Sequence, residues 1–297
     1  MVIQVKYHYN MNQKTVQNNR GKRYCMICET YRIQAEGSGD QAHLTTYLIS
    51  HSESIAMERR PLILICPGGG YHFVSDREAE MFALQWNAYG FHAAVLRYSV
   101  APAVYPAALL ELGKAMLMIK EHAEEWDIDS DKIILEGSSA GGHLAASLGM
   151  FWNRPFLAQG LGTDSQMLRP AGMILNYPVI TSGQYAHADS FHNLLGDRYE
   201  EMKEEMSLEK QVSADTPPTF LWHTNEDMSV PAENSLLLAL EMRRHNIPVE
   251  LHLYAKGGHG LALADERTMG REGNGIEPEC RSWMELAYCW MKEVILK

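Results

Sequence analysis

The sequence predicts an α/β fold, with a mostly parallel central sheet and helices on both of its faces. Short apolar runs, which are typical of buried strands, alternate along the chain with longer segments of helical periodicity. The chain has 297 residues, a length that a single α/β domain commonly reaches. Neither an internal repeat nor a low-complexity tract divides it. We therefore expect one domain over residues 1–297.

The predicted elements follow one another from residue 43 to the carboxyl terminus. Strands are predicted over 43–50, 62–66, 92–97, 132–137, 172–176, 219–223 and 248–254. Helices are predicted over 76–89, 105–123, 141–150, 231–245 and 279–296. Ser75 and Glu78 have the spacing of a capping box at the start of the first helix, and Gly90 follows its end. The last helix is expected to cover the sheet with apolar side chains at helical spacing: Trp283, Leu286, Ala287, Trp290, Met291 and Val294.

Two segments interrupt the alternation, residues 151–170 after the third helix and residues 181–216 between two strands. A long segment inside a compact domain is usually functional or has elements of its own. We expect 181–216 to form a small cap with a short helix over 200–205. Its few apolar residues are expected to wall a small pocket: Phe191, Leu194 and Leu195. For 151–170 a cap and a surface excursion remain equally open.

Residues 137–141 read Gly-Ser-Ser-Ala-Gly and lie between a predicted strand and a helix of small residues. Such a G-x-S-x-G turn holds its central residue in a cramped backbone conformation, which the flanking glycines make accessible. The turn exposes Ser139 Oγ at the carboxyl edge of the sheet. Small residues often meet by chance where a strand packs against a helix, so this motif alone is weak evidence for a nucleophile. The residues that follow it in the chain strengthen the prediction. Ser139 is the predicted nucleophile.

Two further residues follow strands in the order that this nucleophile requires. Asp227 lies in the loop after the sixth predicted strand, and His259 lies in the glycine-rich loop after the seventh. In such a set the histidine takes the proton from the serine, and the carboxylate orients the histidine. The order serine, aspartate, histidine is that of α/β-hydrolases. His223 as the base and Glu226 as the acid are weaker alternatives.

The strand 62–66 is followed by the glycine-rich run PGGGY at residues 67–71. Acyl transfer develops negative charge on the former carbonyl oxygen, so backbone N–H groups must already point to it. Glycines allow this close approach, and the run therefore predicts an oxyanion site. A phosphate loop is the alternative, but the Lys-Ser/Thr ending of a P-loop and the spacing of a dinucleotide fingerprint are missing. Tyr71 and His72 are candidate substrate-binding residues.

Separate motifs resemble the carbohydrate and acetyl esterase branch of the α/β-hydrolases: PGGGY at 67–71, LRYSVAP at 96–102, GSSAGGHLAA at 137–146, NYPVI at 176–180, DMSVP at 227–231 and GGHG at 257–260. This branch is related to the hormone-sensitive-lipase-like esterases and contains xylan esterases and feruloyl-esterase-like proteins. The resemblance covers about residues 60–297. It implies that the oxyanion donors are Gly69, Gly70 and Ala140. Lipase-like relatives begin the oxyanion loop with histidine, whereas Pro67 places this chain nearer the sugar-ester branch.

The composition sets expectations for the compartment and the partners. No apolar stretch approaches the ~20 residues of a membrane span, and residues 1–10 lack the apolar core of a signal peptide. Five cysteines fit a reduced, cytoplasmic protein, and Cys25 with Cys28 forms a single C-x-x-C without a second pair. The net charge of −11 argues against nucleic-acid and anionic-membrane partners.

The residues predict a serine hydrolase, and the resemblance implies a carboxylesterase for short-chain, in particular acetyl, esters of carbohydrates or small alcohols. The expected partner is a small-molecule ester, and the expected mechanism uses no metal and no cofactor. One alternative is an amide hydrolase of the same fold, either a formamidase or a small peptidase. Another is a non-catalytic binding protein, against which the intact set of catalytic side chains argues. The oligomeric state does not follow from the sequence.

Overall fold

The computed structural model describes residues 26–297. Within them one sheet has eight strands: β1 (Ile27–Arg32), β2 (His43–Leu48), β3 (Arg60–Cys66), β4 (His92–Arg97), β5 (Ile128–Ser138), β6 (Gly172–Asn176), β7 (Thr219–Thr224) and β8 (Val249–Tyr254). Their order across the sheet is β1-β2-β4-β3-β5-β6-β7-β8. Strand β2 is antiparallel to both of its neighbours, and the other adjacent pairs are parallel. The predicted α/β fold with a mostly parallel sheet is confirmed.

The α-helices of the described chain lie on both faces of this sheet: α1 (Glu80–Ala88), α2 (Ala107–Glu121), α3 (Ala140–Phe151), α4 (Pro155–Leu161), α5 (Ala188–Leu195), α6 (Tyr199–Met202), α7 (Glu233–Arg244) and α8 (Trp283–Val294). Alternate residues of β3 point to opposite faces. Ile63 belongs to the buried cluster that contains Trp86 of α1 and Trp283 of α8. Leu64 belongs to the cluster that contains Leu144 of α3 and residues of α2 and α7.

The strands of the sheet differ in how clearly their sequences predict them. The central strand β3 is buried from Pro61 to Cys66, because helices cover both faces of a parallel sheet. The edge strand β1 is mostly exposed and was not predicted. It pairs with β2, with Ile27 opposite Leu48. Only Ile27 and Tyr31 of this strand are half-buried, so its sequence shows neither the apolar run nor the strict alternation that predicts a strand.

The two predicted ends of the first helix depend on single residues, Ser75 at its start and Gly90 after its end. The Ser75 side chain makes no capping hydrogen bond, and residues 76–78 form a separate 3-10 turn before α1. Glu78 is instead buried, and its carboxylate accepts a hydrogen bond from the Gly68 N–H. The predicted capping box is therefore wrong. Gly90 has a φ of 91° just past the end of α1, where a residue without a Cβ is favoured.

The closing helix α8 covers the sheet with a slightly different set of side chains than predicted. It begins at Trp283, because residues 280–282 form a 3-10 turn. Met284 is buried although the prediction omitted it. Val294 was included but is 38% exposed, so it lies outside the packed face.

The two interrupting segments have elements of their own. In 151–170, α4 and a 3-10 turn pack against α2, and the segment is a surface excursion that contributes no lining residue to the cleft at Ser139. In 181–216, α5, a 3-10 turn over 196–198, α6 and a second 3-10 turn over 208–211 follow one another. The short helix expected over 200–205 ends earlier, at Met202.

The apolar residues of 181–216 do not wall a pocket as expected. Phe191, Leu194 and Leu195 form the buried face of α5 and belong to the core. The Phe191 ring packs edge-on against His143, with 5.3 Å between the ring centroids. Their apolar area is therefore used for folding and is absent from the cleft.

No helix of residues 26–297 combines the length and the apolar character needed to cross a bilayer. Within the same residues Cys28, Cys66, Cys280 and Cys289 are free. The expectations for residues 1–10 and for Cys25 lie outside the described residues. The single domain and the cytoplasmic location stay predictions.

Candidate active site

Ser139 lies between the end of β5 and the first residue of α3. Its φ and ψ are 53° and −121°, a conformation that is rare for a residue with a side chain. Its N–H donates to the carbonyl of Asn176 at 3.0 Å, and its own carbonyl accepts from the Val179 N–H at 3.0 Å. The end of β6 and the residues after it therefore hold the strained turn in place.

Gly137 and Gly141, on either side of Ser139, make this turn sterically accessible. A Cβ on Gly137 would lie 2.2 Å from the carbonyl oxygen of Gly141. A Cβ on Gly141 would lie 2.0 Å from the carbonyl oxygen of Cys66. Both obstacles are backbone atoms, which cannot move aside. The turn thus brings the end of β3 into direct contact with the start of α3.

His259 contacts both Ser139 and Asp227. Its Nε2 lies 2.8 Å from Ser139 Oγ, and its Nδ1 lies 2.6 Å from Asp227 Oδ2. Because a carboxylate can only accept, Nδ1 carries the proton and Nε2 presents its lone pair to the serine hydroxyl. The structure therefore brings together the three residues that the sequence singled out, in an arrangement that can remove the proton from Ser139.

The Asp227 side chain is buried and accepts hydrogen bonds through both of its oxygens. Oδ1 accepts from the N–H groups of Ser229 and Val230, at 3.0 and 2.9 Å. Oδ2 lies close to His259 Nδ1 and is 3.3 Å from His223 Nε2. Burial alone raises the pKa of Asp227, but the hydrogen bonds from His223, His259 and Val230 outweigh it and hold the pKa below its usual value. The group is therefore an ionised carboxylate.

His223, the alternative base, and Glu226, the alternative acid, both lie beside the Ser139, His259 and Asp227 set and support it. His223 is fully buried, with Nδ1 2.8 Å from Ser235 Oγ and Nε2 2.9 Å from the Val230 carbonyl. Because the Val230 carbonyl only accepts, Nε2 carries the proton and donates to it, and the same N–H also lies near Asp227 Oδ2, at 3.3 Å. Glu226 Oε2 accepts from the Gly257 N–H at 3.1 Å, so it holds the loop that leads to His259. His223 therefore does not take the position of His259, and Glu226 does not take that of Asp227.

The glycine loop after β3 lies at the same cleft as Ser139. Gly69 and Gly70 line this cleft, with φ values of 128° and 63°. Among residues 26–297 their N–H groups donate to no carbonyl or side chain, whereas the Gly70 carbonyl accepts from Asn193 at 2.9 Å. The Ala140 N–H is the first of α3, and such N–H groups have no partner inside a helix. These donors are thus available to a bound oxyanion.

A cleft of about 520 Å³ opens in front of Ser139. His72 and Phe73 line it from the glycine loop, and Phe73 is 58% exposed. The polar side chains of α5 and of the residue before it line another part: His187, Asp189, His192 and Asn193. Since the apolar face of α5 is buried, the helix is amphipathic and turns its polar face to the cleft.

The two candidate substrate-binding residues have different positions. His72 is exposed and lines the cleft. Tyr71 is 3% exposed and does not line it, because its hydroxyl is buried 3.0 Å from His143 Nδ1. The expectation that Tyr71 contacts substrate is therefore wrong.

His143 connects Tyr71 to the segment after α6. Its Nε2 lies 2.9 Å from the Met206 carbonyl. Because a carbonyl only accepts, Nε2 carries the proton and Nδ1 accepts from the Tyr71 hydroxyl. Burial lowers the pKa of His143 to about 4, so the ring is neutral. The neutral imidazole thus links the glycine loop, α3 and the 181–216 segment.

Sequence reasoning missed two buried residues beside the cleft, Glu78 and Tyr177. Glu78 lines the cleft, and the Tyr177 ring packs edge-on against His259 with 5.2 Å between the centroids. Glu78 was assigned to a capping box, and Tyr177 was only part of a motif. Nothing in a single sequence indicates that they meet.

Comparison with known proteins places these observations in a family. The BD-FAE family model matches residues 50–242. The endo-1,4-β-xylanase B of Butyrivibrio fibrisolvens is 37% identical over 234 residues, which are 75% of this chain and 35% of the xylanase. The chain spans less than half the length of the curated relatives that it matches first.

Two solved structures resemble the chain over most of its length. The acetyl ester-xyloside bifunctional hydrolase from Caldicellulosiruptor lactoaceticus has a TM-score of 0.73 and 34% identity, over 85% of this chain and 88% of that chain. The carboxylesterase Cest-2923 from Lactobacillus plantarum WCFS1 has a TM-score of 0.78 and 29% identity, over 90% of this chain and 98% of that chain.

Proposed function

The chain belongs to the BD-FAE family of α/β-hydrolases, and from this premise we propose that it is a serine carboxylesterase with Ser139 as nucleophile. His259 is the general base and Asp227 orients it. The observation that carries the proposal is the continuous hydrogen-bond chain from Asp227 through His259 to Ser139, with distances of 2.6 and 2.8 Å. It ends at the cleft, where a substrate carbonyl can reach the serine hydroxyl.

In the proposed reaction His259 Nε2 takes the proton of Ser139 as Oγ attacks the ester carbonyl. The N–H groups of Gly69, Gly70 and Ala140 donate to the resulting oxyanion, and loss of one such donor typically lowers the rate by ~10²–10³. His259 then protonates the departing alcohol. Water repeats the cycle on the acyl-enzyme, and no step calls for a metal or a cofactor.

The substrates that we propose are short-chain, in particular acetyl, esters of sugars or other polyhydroxy alcohols. Two solved relatives of the chain are named as an acetyl ester-xyloside hydrolase and a carboxylesterase. The wall that α5 adds to the cleft is polar, and hydroxyl groups of an alcohol can bind there. A long acyl chain needs an apolar trough that supplies ~0.8 kcal/mol for each buried CH₂, and the apolar residues of α5 are buried elsewhere.

A substrate panel tests this proposal. We expect hydrolysis of 4-nitrophenyl acetate and of acetylated xylo-oligosaccharides, with kcat/KM falling from acetate through butyrate to octanoate. Ser139→Ala should abolish both activities. A steady rise of kcat/KM toward octanoate would contradict the short-acyl specificity, and faster hydrolysis of an N-formyl amide would identify an amide hydrolase. Retained activity in Ser139→Ala would refute the nucleophile.

A further inference from the structure

A buried carboxylate lies directly beneath the glycine loop. Glu78 is 5% exposed, and each of its oxygens accepts a hydrogen bond. Oε2 accepts from the Gly68 N–H at 2.8 Å, and Oε1 accepts from the Tyr177 hydroxyl at 2.6 Å. Gly68 immediately precedes Gly69, the first proposed oxyanion donor. The carboxylate therefore binds the backbone of the oxyanion loop, and both of its acceptor groups are engaged within the protein.

The Tyr177 hydroxyl continues this contact to the loop that carries His259. It also accepts from the Ala262 N–H at 3.0 Å. The Tyr177 ring packs edge-on against His259 and against Trp222, with centroid distances of 5.2 and 4.9 Å. Packing on two sides fixes the ring, so the position of the hydroxyl is fixed as well.

Both ends of this connection are backbone positions with little conformational freedom. A Cβ on Gly68 would lie 2.7 Å from Glu78 Oε2 and 3.0 Å from Ser139 Cβ, so the Gly68 backbone is wedged between the two side chains. Ala262 has a φ of 55°, which is costly for a residue with a side chain. Such conformations persist only where neighbouring groups determine them.

We propose that Glu78 and Tyr177 form a bridge, the Glu78–Tyr177 bridge, that positions the oxyanion loop and the His259 loop relative to each other. The proposal rests on the proposed function and adds positioning residues to it. Catalytic groups must be held within about 0.5 Å of the productive geometry. Two of the oxyanion donors, Gly69 and Gly70, and the base lie on separate loops, after β3 and β8, and the bridge joins these loops through two side chains. Loss of the bridge should therefore lower kcat, whereas KM for a small ester should change little.

The test compares Tyr177→Phe, Glu78→Gln and the double variant on 4-nitrophenyl acetate. Tyr177→Phe removes one oxygen atom and leaves the ring packing in place. Tyr254→Phe is the matched control, because its hydroxyl lies 3.0 Å from Ser282 Oγ and its ring also packs against Trp222. Active sites are titrated with a fluorophosphonate, so that kcat is expressed per active site and misfolded protein does not count.

We expect Tyr177→Phe and Glu78→Gln each to lower kcat per active site by roughly 10- to 100-fold, the effect of losing a hydrogen bond to a charged group. KM should stay within about threefold, and Tyr254→Phe should match the wild type. Because both residues act through one bridge, the kcat of the double variant should equal that of the less active single variant. Independent effects would instead multiply.

Unchanged kcat per active site in both single variants would overturn the bridge, even if their thermal midpoints fall, because a purely structural role predicts that result. Multiplicative effects in the double variant would also overturn it. Failure of the proposed function has a different signature, namely turnover that survives Ser139→Ala. Should Tyr177→Phe not fold, Glu78→Gln alone still decides between unchanged and lowered kcat.

Discussion

The cleft at Ser139 has two parts that are built in different ways. The floor comprises the loops after β3, β5, β7 and β8, where the Asp227 side chain is fully buried and Ser139 is 8% exposed. The α5 wall comprises His187 and the polar face of α5, where Asp189 and His192 are exposed. Packing and hydrogen bonds hold Ser139 and Asp227 of the floor, whereas exposed groups of the wall face water. From this comparison we propose that the floor sets the reaction and that the wall meets the alcohol.

The largest effect should come from removing the buried charge of the floor. Asp227→Asn is expected to lower kcat on 4-nitrophenyl acetate by roughly 10⁴, because the amide no longer enforces the productive tautomer of His259. Glu226→Gln is the matched control, since the neighbouring Glu226 accepts its hydrogen bond from the Gly257 N–H of the loop and not from His259. Steady-state kinetics of both variants give the answer. A larger loss in Glu226→Gln would assign the orienting role to the other carboxylate.

A smaller loss should follow from changing the donor behind Asp227. His223→Phe removes the Nε2–H that faces the carboxylate, and we expect kcat to fall by roughly 10- to 100-fold. His223→Gln keeps a donor at similar reach and should lose less. Equal, wild-type-like kcat values in both variants would show that the other hydrogen bonds on Asp227 suffice.

The floor could largely be predicted from the sequence, because its signals are local. The turn at Ser139 needs glycines at fixed positions, and the loops with Asp227 and His259 follow apolar strands. The partners of the floor could not be predicted in this way. Glu78 and Tyr177 are far apart in the chain, and only the tertiary structure brings them together.

The wall was predicted less well for a related reason. The segment 181–216 was expected to line a pocket with apolar residues, but an amphipathic helix shows only its period and not which neighbour takes each face. Phe191 turned out to face the core, and Asp189 the cleft. Tyr71 was misplaced similarly, since an amphipathic side chain next to a glycine loop can point either to substrate or to a buried partner.

The α5 wall should affect the polyhydroxy substrate alone. Asp189→Asn is expected to raise KM for acetylated xylo-oligosaccharides roughly fivefold, the effect of one weakened hydrogen bond, and to leave 4-nitrophenyl acetate unchanged. Asp197→Asn is the control, because Asp197 is exposed just after α5 and does not line the cleft. Equal effects on both substrates would mean that the wall also serves the floor.

The pH dependence of stability should report on two buried histidines, His143 and His92. Burial lowers the pKa of His143 and of His92 to about 4, whereas an unfolded histidine titrates near ~6.5. Between these values the unfolded chain binds more protons, so their contribution is present above pH ~6.5 and is lost as the pH falls toward 4. Each residue adds a slope of up to ~1.4 kcal/mol per pH unit.

Urea unfolding at pH 7 and pH 5 measures this difference. Burial raises the pKa of Glu136 to about 7, which acts in the opposite direction but is common to the wild type and to His143→Gln. We therefore expect the loss of unfolding free energy from pH 7 to pH 5 to be smaller in His143→Gln than in the wild type. The same pH dependence in both proteins would contradict the neutral, buried state of His143.

The central claim, that the floor performs acyl transfer through Ser139, is tested most directly by locating a covalent adduct. Incubation with a fluorophosphonate, followed by peptide mapping, should place the adduct on Ser139, with hydrolysis lost in proportion to labelling. Ser229 also lines the cleft and is therefore an alternative site for the covalent adduct. An adduct on Ser229, or full turnover by protein that is labelled at Ser139, would contradict the account.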